Sequence, residues 1–114
     1  IGLRTDASSF FEKGLDPVNT RNAIDRACQL VEELGCGKIC QGVVEDLAPI
    51  EPLKRISLDA EKINALLGTD ISKEEMLEYL KPLEIEYDEA ANELIIPSFR
   101  HDINALCDIA EEVV

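Results

Sequence analysis

"RISLDAEKINALLGTDISKEEMLEYLKPLEIEYDEAANELIIPSF", residues 55–99, decides the fold. "RISL" reads as a short strand, and Asp59 then stands where a carboxylate can cap a helix. Ile63, Leu66 and Leu67 recur at helical spacing, and Gly68 ends that helix. Ser72 followed by Glu75 is a capping-box pattern, opening a second helix with Met76, Leu77 and Leu80. Pro82 stops it, because a proline has no amide to continue the ladder. "LEIEY" and "NELIIPSF" are two strands around an acidic turn holding Asp88 and Asn92. Strand, two capped helices, hairpin and a following helix make an α+β plan: a small winged-helix-like domain of three helices with a β-hairpin.

The third helix belongs to "PSFRHDINALCDIAEEVV", residues 97–114. Asp102 is placed to cap it, with Ile103, Leu106, Ala110 and Val113 facing inward. The same stretch gathers four acids, Asp102, Asp108, Glu111 and Glu112, behind Arg100 and His101. Asp108, Glu111 and Glu112 stand at i, i+3 and i+4 and share one helix face. Such a face suits a hard cation, which takes oxygen ligands; it equally suits a basic partner or plain solvent, since exposed like charges at this spacing cost only about 0.2–0.5 kcal/mol per pair. Asp102 precedes Glu112 by ten residues, roughly 15 Å along a continuous helix, too far for one shared ion unless the chain bends. An Arg100 to Asp102 pair is possible but worth little if exposed. His101 has no nucleophile at recognisable spacing, so nothing nominates it for catalysis.

Upstream, "LDPVNTRNAIDRACQLVEELGCG", residues 15–37, reads as a helix with both ends marked. Asp16 caps, Pro17 takes the first helical position, and Gly35 closes the end in a left-handed conformation. Ile24, Ala27, Cys28, Val31 and Leu34 form its apolar face. "GKICQGVVED" then looks like a strand. "LAPIEPL", with two prolines, breaks regular structure and marks a boundary. The expected organisation is therefore 1–45, a linker at 46–54, and 55–114. The first residue is Ile1 rather than Met, which suggests a piece of a longer polypeptide.

The formal net charge of −13 and pI near 4.3 argue against unaided binding to nucleic acid through a basic face. The second helix of the 55–114 unit carries Glu74, Glu75 and Glu78 against Lys73 and Lys81, which argues against a DNA-reading winged helix. No apolar run approaches the roughly 18 residues a membrane span needs. Cys36 and Cys40 have three residues between them, and a zinc site would require Cys28 or Cys107 to converge on that pair. Buried free thiols at Cys28 and Cys107, in a reducing cytoplasmic compartment, are the expectation. The glycines stand singly, so no phosphate-binding loop is present.

Two stretches together carry a resemblance. "GLRTDASSFFEKGLDP" resembles the end of the substrate-editing region in the β subunit of bacterial phenylalanyl-tRNA synthetases. "ISLDAEKINALLGTDIS…PSFRHDINALCDIAEEVV" resembles the next domain, the fifth, with P-S-x-R-x-D-I…D-I-x-E-E-V its most specific part. There are two departures: Phe10 stands where the family places a basic residue, and the chain stops at Val114, before an aromatic-glycine stretch.

The resemblance implies a heterotetramer of α and β subunits. In it the α subunit binds ATP, activates phenylalanine and charges tRNA(Phe), while β contributes tRNA contacts, editing and packing against α. It also implies a magnesium ion shared with the α subunit and held by Asp102, Asp108, Glu111 and Glu112. On this reading the chain has an architectural, α-docking role, contains neither active site and is inactive in isolation. The rival readings are an independent acidic winged-helix module that binds proteins, and a metal-binding regulator using the last helix.

Overall fold

The computed structural model describes residues 2–46 and 49–114. Ile1 and the Leu47–Ala48 part of the expected linker lie outside the described residues. The chain divides into two compact units, Ile1–Glu51 and Pro52–Val114.

The first unit opens with α1, Asp6–Lys13, which sequence periodicity did not single out. Its start is fixed reciprocally: the Ser8 amide donates to the Thr5 hydroxyl oxygen at 3.1 Å, and the Thr5 amide donates to Ser8 Oγ at 2.9 Å. Asp16 accepts from the Val18 amide at 3.0 Å and starts a 3-10 turn, Pro17–Asn19, that runs into α2, Thr20–Glu33. Gly35 takes the left-handed conformation, φ 65°, and lets the Cys36 amide bond back to the Val31 carbonyl at 3.0 Å. The expected strand at 37–46 does not form: the described residues there have no regular structure and pair with no other strand. Gly37 and Gly42 interrupt its apolar run, and a strand without a neighbour leaves its amides unpaired.

The second unit contains β1 (Arg55–Ser57), α3 (Ala60–Leu67), α4 (Lys73–Leu80), β2 (Glu86–Asp88), β3 (Glu93–Ile95) and α5 (Leu106–Val113). The strands form an antiparallel sheet in the order β1-β3-β2, with Leu94 facing both Ile56 and Tyr87. Asp59 caps α3 through the Lys62 amide at 3.1 Å, and Gly68 ends it at φ 71°. Ser72 caps α4 through the Glu75 amide at 3.2 Å. Only that half of the capping box forms; the Glu75 carboxylate instead accepts from the Tyr79 hydroxyl at 2.6 Å. Pro82 lies within a 3-10 turn, Lys81–Leu83, that follows α4 and closes at Glu84, whose φ of 61° swings the chain into β2.

The core is aliphatic. Ile63, Met76, Leu80, Leu94 and Ile109 are fully buried, with Ile96 and Ile103 nearly so. Helix α5 lies against both α3 and α4 and contributes Ile109, Ala110 and Val113. Of the residues expected on the apolar stripe of α3, Leu66 instead faces solvent, while Leu67 reaches the core margin. Cys107 is also exposed and Cys28 only half-buried, so the thiols are free but not core residues.

Leu94→Ala removes a fully buried side chain at the centre of the sheet and should cost about 2–5 kcal/mol in urea unfolding. Leu66→Ala, at an exposed position, should stay within about 0.5 kcal/mol.

Candidate functional site

The four acids of the last segment are placed by a bend that the sequence spacing did not reveal. Helix α5 begins at Leu106, so Asp102 lies four residues ahead of it, in a non-helical turn, and does not cap it. The capping acid is Asp108, whose Oδ2 accepts from the Ala105 amide at 2.9 Å and the Asn104 amide at 2.7 Å. A carboxylate in the first turn also meets the positive end of the helix dipole. These two amides, Asn104 first, hold the Asp108 carboxyl below its ordinary range.

The bend is held from several sides. Asn104 Nδ2 donates to the Asp102 carbonyl at 2.9 Å, and Lys54 Nζ donates to the Ile103 carbonyl at 2.7 Å. Ile103 itself is 1% exposed, which plugs the turn into the core. Asp102 and Glu112, ten residues apart, thereby come to one guanidinium. Arg100 Nε and Nη2 donate to Asp102 at 2.9 and 2.6 Å, and Nη1 and Nη2 donate to Glu112 at 3.2 and 2.5 Å. The Arg100 side chain is only 19% exposed and that of Glu112 24%, against 64% for Asp102. The inner bond to Glu112 is therefore the stronger contributor to stability, since exposure screens the outer one. Hydrogen bonding to Asp102 and Glu112 raises the Arg100 pKa, and Arg100 in turn depresses that of Asp102.

The bend brings Asp102 and Glu112 to one cationic group, Arg100, while Asp108 directs Oδ2 to two amides. Among the described residues no three His, Cys, Asp or Glu side chains converge as a metal site. Asp108 and Glu111, at i and i+3 on α5, are oxygen donors on one helix face, and Glu111 is exposed. His101 is exposed too, and its carbonyl is a weak acceptor for Asn104 at 3.3 Å.

Two further clusters escaped the sequence reading. Lys73 lies 4.6 Å from the Tyr87 ring centroid and donates to Asn92 Oδ1 at 2.8 Å, which also accepts from the Tyr87 hydroxyl at 2.8 Å. Asn92 has φ 55° and donates to the Leu58 carbonyl at 2.9 Å, so this network ties the hairpin turn to α4 and the end of β1. The second cluster is Arg55 with Asp88 at 2.8 Å and Glu93 at 3.4 Å across the sheet. No pattern at fixed sequence spacing announces either, because their members sit on different elements.

Because Asp102 and Asp108 titrate below an unperturbed Asp, near 3.9, their ionised forms add stability above that pH, lost as pH falls through their lowered values. Acid unfolding should therefore set in below about pH 4. Asp108→Asn should flatten the acid limb in a circular-dichroism titration. Arg100→Ala should cost about 1–3 kcal/mol at pH 7, from loss of hydrogen bonds to charged groups.

The tRNA synthetase B5 domain model matches residues 56–114. The chain is 43% identical over 99% of its length to the phenylalanine–tRNA ligase β subunit of Clostridium tetani. It is 45% identical over 99% of its length to that of Clostridium acetobutylicum, and 38% over 98% to that of Bacillus subtilis. The chain spans about 14% of the length of these relatives.

Proposed function

Since the chain belongs to the tRNA synthetase B5 domain family and is a segment of a phenylalanine–tRNA ligase β subunit, we propose that it acts as an architectural and docking element of that ligase. The carrying observation is the match to such subunits along 98–99% of the chain, through both units. Residues 1–45 correspond on this reading to the end of the editing region, 46–54 to a linker and 55–114 to the fifth domain. The partner is the α subunit, in a heterotetramer that acts in the cytoplasm. That subunit binds ATP and activates phenylalanine, and tRNA(Phe) is engaged by the whole enzyme. On this reading the chain has a non-catalytic role and is inactive in isolation.

The physical basis of docking is the outward side of α5. The core takes Ile109, Ala110 and Val113, leaving Glu111 exposed and Asp108 half-buried on the other flank. An acidic flank steers toward a basic surface and disfavours acidic ones. A magnesium ion at this seam would neutralise carboxylates of both subunits, and on this side Asp108 and Glu111 would hold it. Asp102 and Glu112 contribute by keeping the turn and the last helix in register through Arg100. The α4 surface, with Glu74, Glu75 and Glu78, repels phosphate and supports a protein rather than DNA partner.

The test mixes the full β subunit with α and follows assembly by native mass spectrometry, with and without a magnesium chelator. Glu111→Ala should weaken assembly at least several-fold while leaving the fold of the β subunit unchanged. Unaltered assembly and aminoacylation in an Asp108→Asn, Glu111→Gln double variant would overturn the docking role of this flank.

A further inference from the structure

Lys54 is fastened twice, once by its backbone and once by its side chain, to two different parts of the second unit. Its carbonyl accepts from the Ile96 amide at 2.9 Å, one step beyond the β1–β3 register. Its ammonium donates to the Ile103 carbonyl at 2.7 Å and to Asn104 Oδ1 at 2.5 Å. Both of those oxygens are neutral. The Arg100 guanidinium, by contrast, bonds the carboxylates of Asp102 and Glu112. The two cations beside the turn therefore act differently: Arg100 balances charge, and Lys54 holds geometry.

What Lys54 holds is Asn104. Its Nδ2 donates to the carbonyls of Asp102 at 2.9 Å and His101 at 3.3 Å, and its backbone amide donates to Asp108 Oδ2 at 2.7 Å. A carboxamide has an acceptor end and a donor end, so a cation on Oδ1 fixes which end faces the two carbonyls. A charged donor also makes a stronger bond than a neutral one. Lys54 and Asn104 are both exposed, so these bonds, and not burial, set their conformations. With both ends of its side chain engaged, Asn104 presents its backbone amide to the Asp108 carboxylate. A continuous path thus runs from the end of β3, through Lys54 and Asn104, to the first turn of α5.

We propose that Lys54 is a positioning residue for the docking flank: through Asn104 it sets the direction of the Asp108 carboxylate, and so the affinity for α. This rests on the docking reading of α5. It gives the last residue of the 46–54 linker a part in assembly that needs no contact of its own with α. A residue that only stabilised the fold would act additively with a change at Asp108, whereas one acting through Asp108 would not.

The test uses the full β subunit carrying Lys54→Met, which keeps the length of the side chain and removes its donors. Hydrogen exchange across residues 101–108 is followed by mass spectrometry without α, and assembly with α is titrated by native mass spectrometry. The Asn104 and Ala105 amides, both bonded to Asp108, should exchange roughly threefold faster or more, and affinity for α should fall several-fold. Lys54→Arg, which restores donors at this place, should recover most of both. In an Asp108→Asn background, Lys54→Met should weaken assembly by less than about twofold further. A full several-fold further loss there overturns the route through Asp108, as does unchanged exchange. Should Lys54→Met misfold, Lys54→Gln replaces it with the same expectations. Glu111→Ala, run alongside, separates the two failures. Assembly weakened by Glu111→Ala but not by Lys54→Met overturns the positioning role. Assembly indifferent to both overturns the docking reading, and exchange alone then decides whether Lys54 holds Asp108.

Discussion

Four carboxylates within eleven residues repel one another, and the turn before α5 persists because one guanidinium is held among them. Arg100 reaches outward to Asp102, ahead of the helix, and inward to Glu112 in its last turn. That grip fixes where the chain stops being extended and begins to coil. It brings Ile103 under the core and leaves α5 starting at Leu106. Because the inner half of the bridge is largely shielded, removing either partner would strand a poorly solvated charge, which costs more than the bridge itself contributes.

The rest of the second unit is built around that helix. Its inner side meets α3 and α4, both of them short, capped by Asp59 and Ser72, and stable only when packed. The small sheet closes the other side through Leu94, and the Lys73–Tyr87–Asn92 network holds its turn to α4. Charge is thus sorted by consequence. Acids with a local basic or amide partner hold the fold, while Glu74, Glu78 and Glu111 remain exposed and shape what can approach.

Most of the second unit was legible because its signals are local. Asp59, Ser72 and Gly68 mark helix ends through contacts within a few residues, and the strands announce themselves by composition. The last segment misled for the same reason. Asp102 looked like a cap because it precedes an apolar periodic run, whereas Asn104 and Lys54 extend the turn and pass the capping role to Asp108. Of the four acids, the sequence placed Asp108, Glu111 and Glu112 on one helix but could not show that Arg100 joins Glu112 to Asp102. The strand at 37–46 failed because a strand is a property of pairs, and residue pattern cannot supply the missing neighbour. Helix α1 passed unnoticed because its start depends on Thr5 and Ser8, side chains that serve loops as readily as helices.

The three-residue strands have an effect beyond folding. Both outer strands of the sheet are short and bear charges: Arg55 on one, Glu86 and Asp88 on the other. A second copy that tried to extend the sheet would find at most three residues to pair with, and like charges wherever the same edge met itself. With a net charge of −13 behind those edges, collisions between copies are repulsive before any backbone can register. The geometry that makes the sheet a minor part of the core also keeps it from templating its own aggregation.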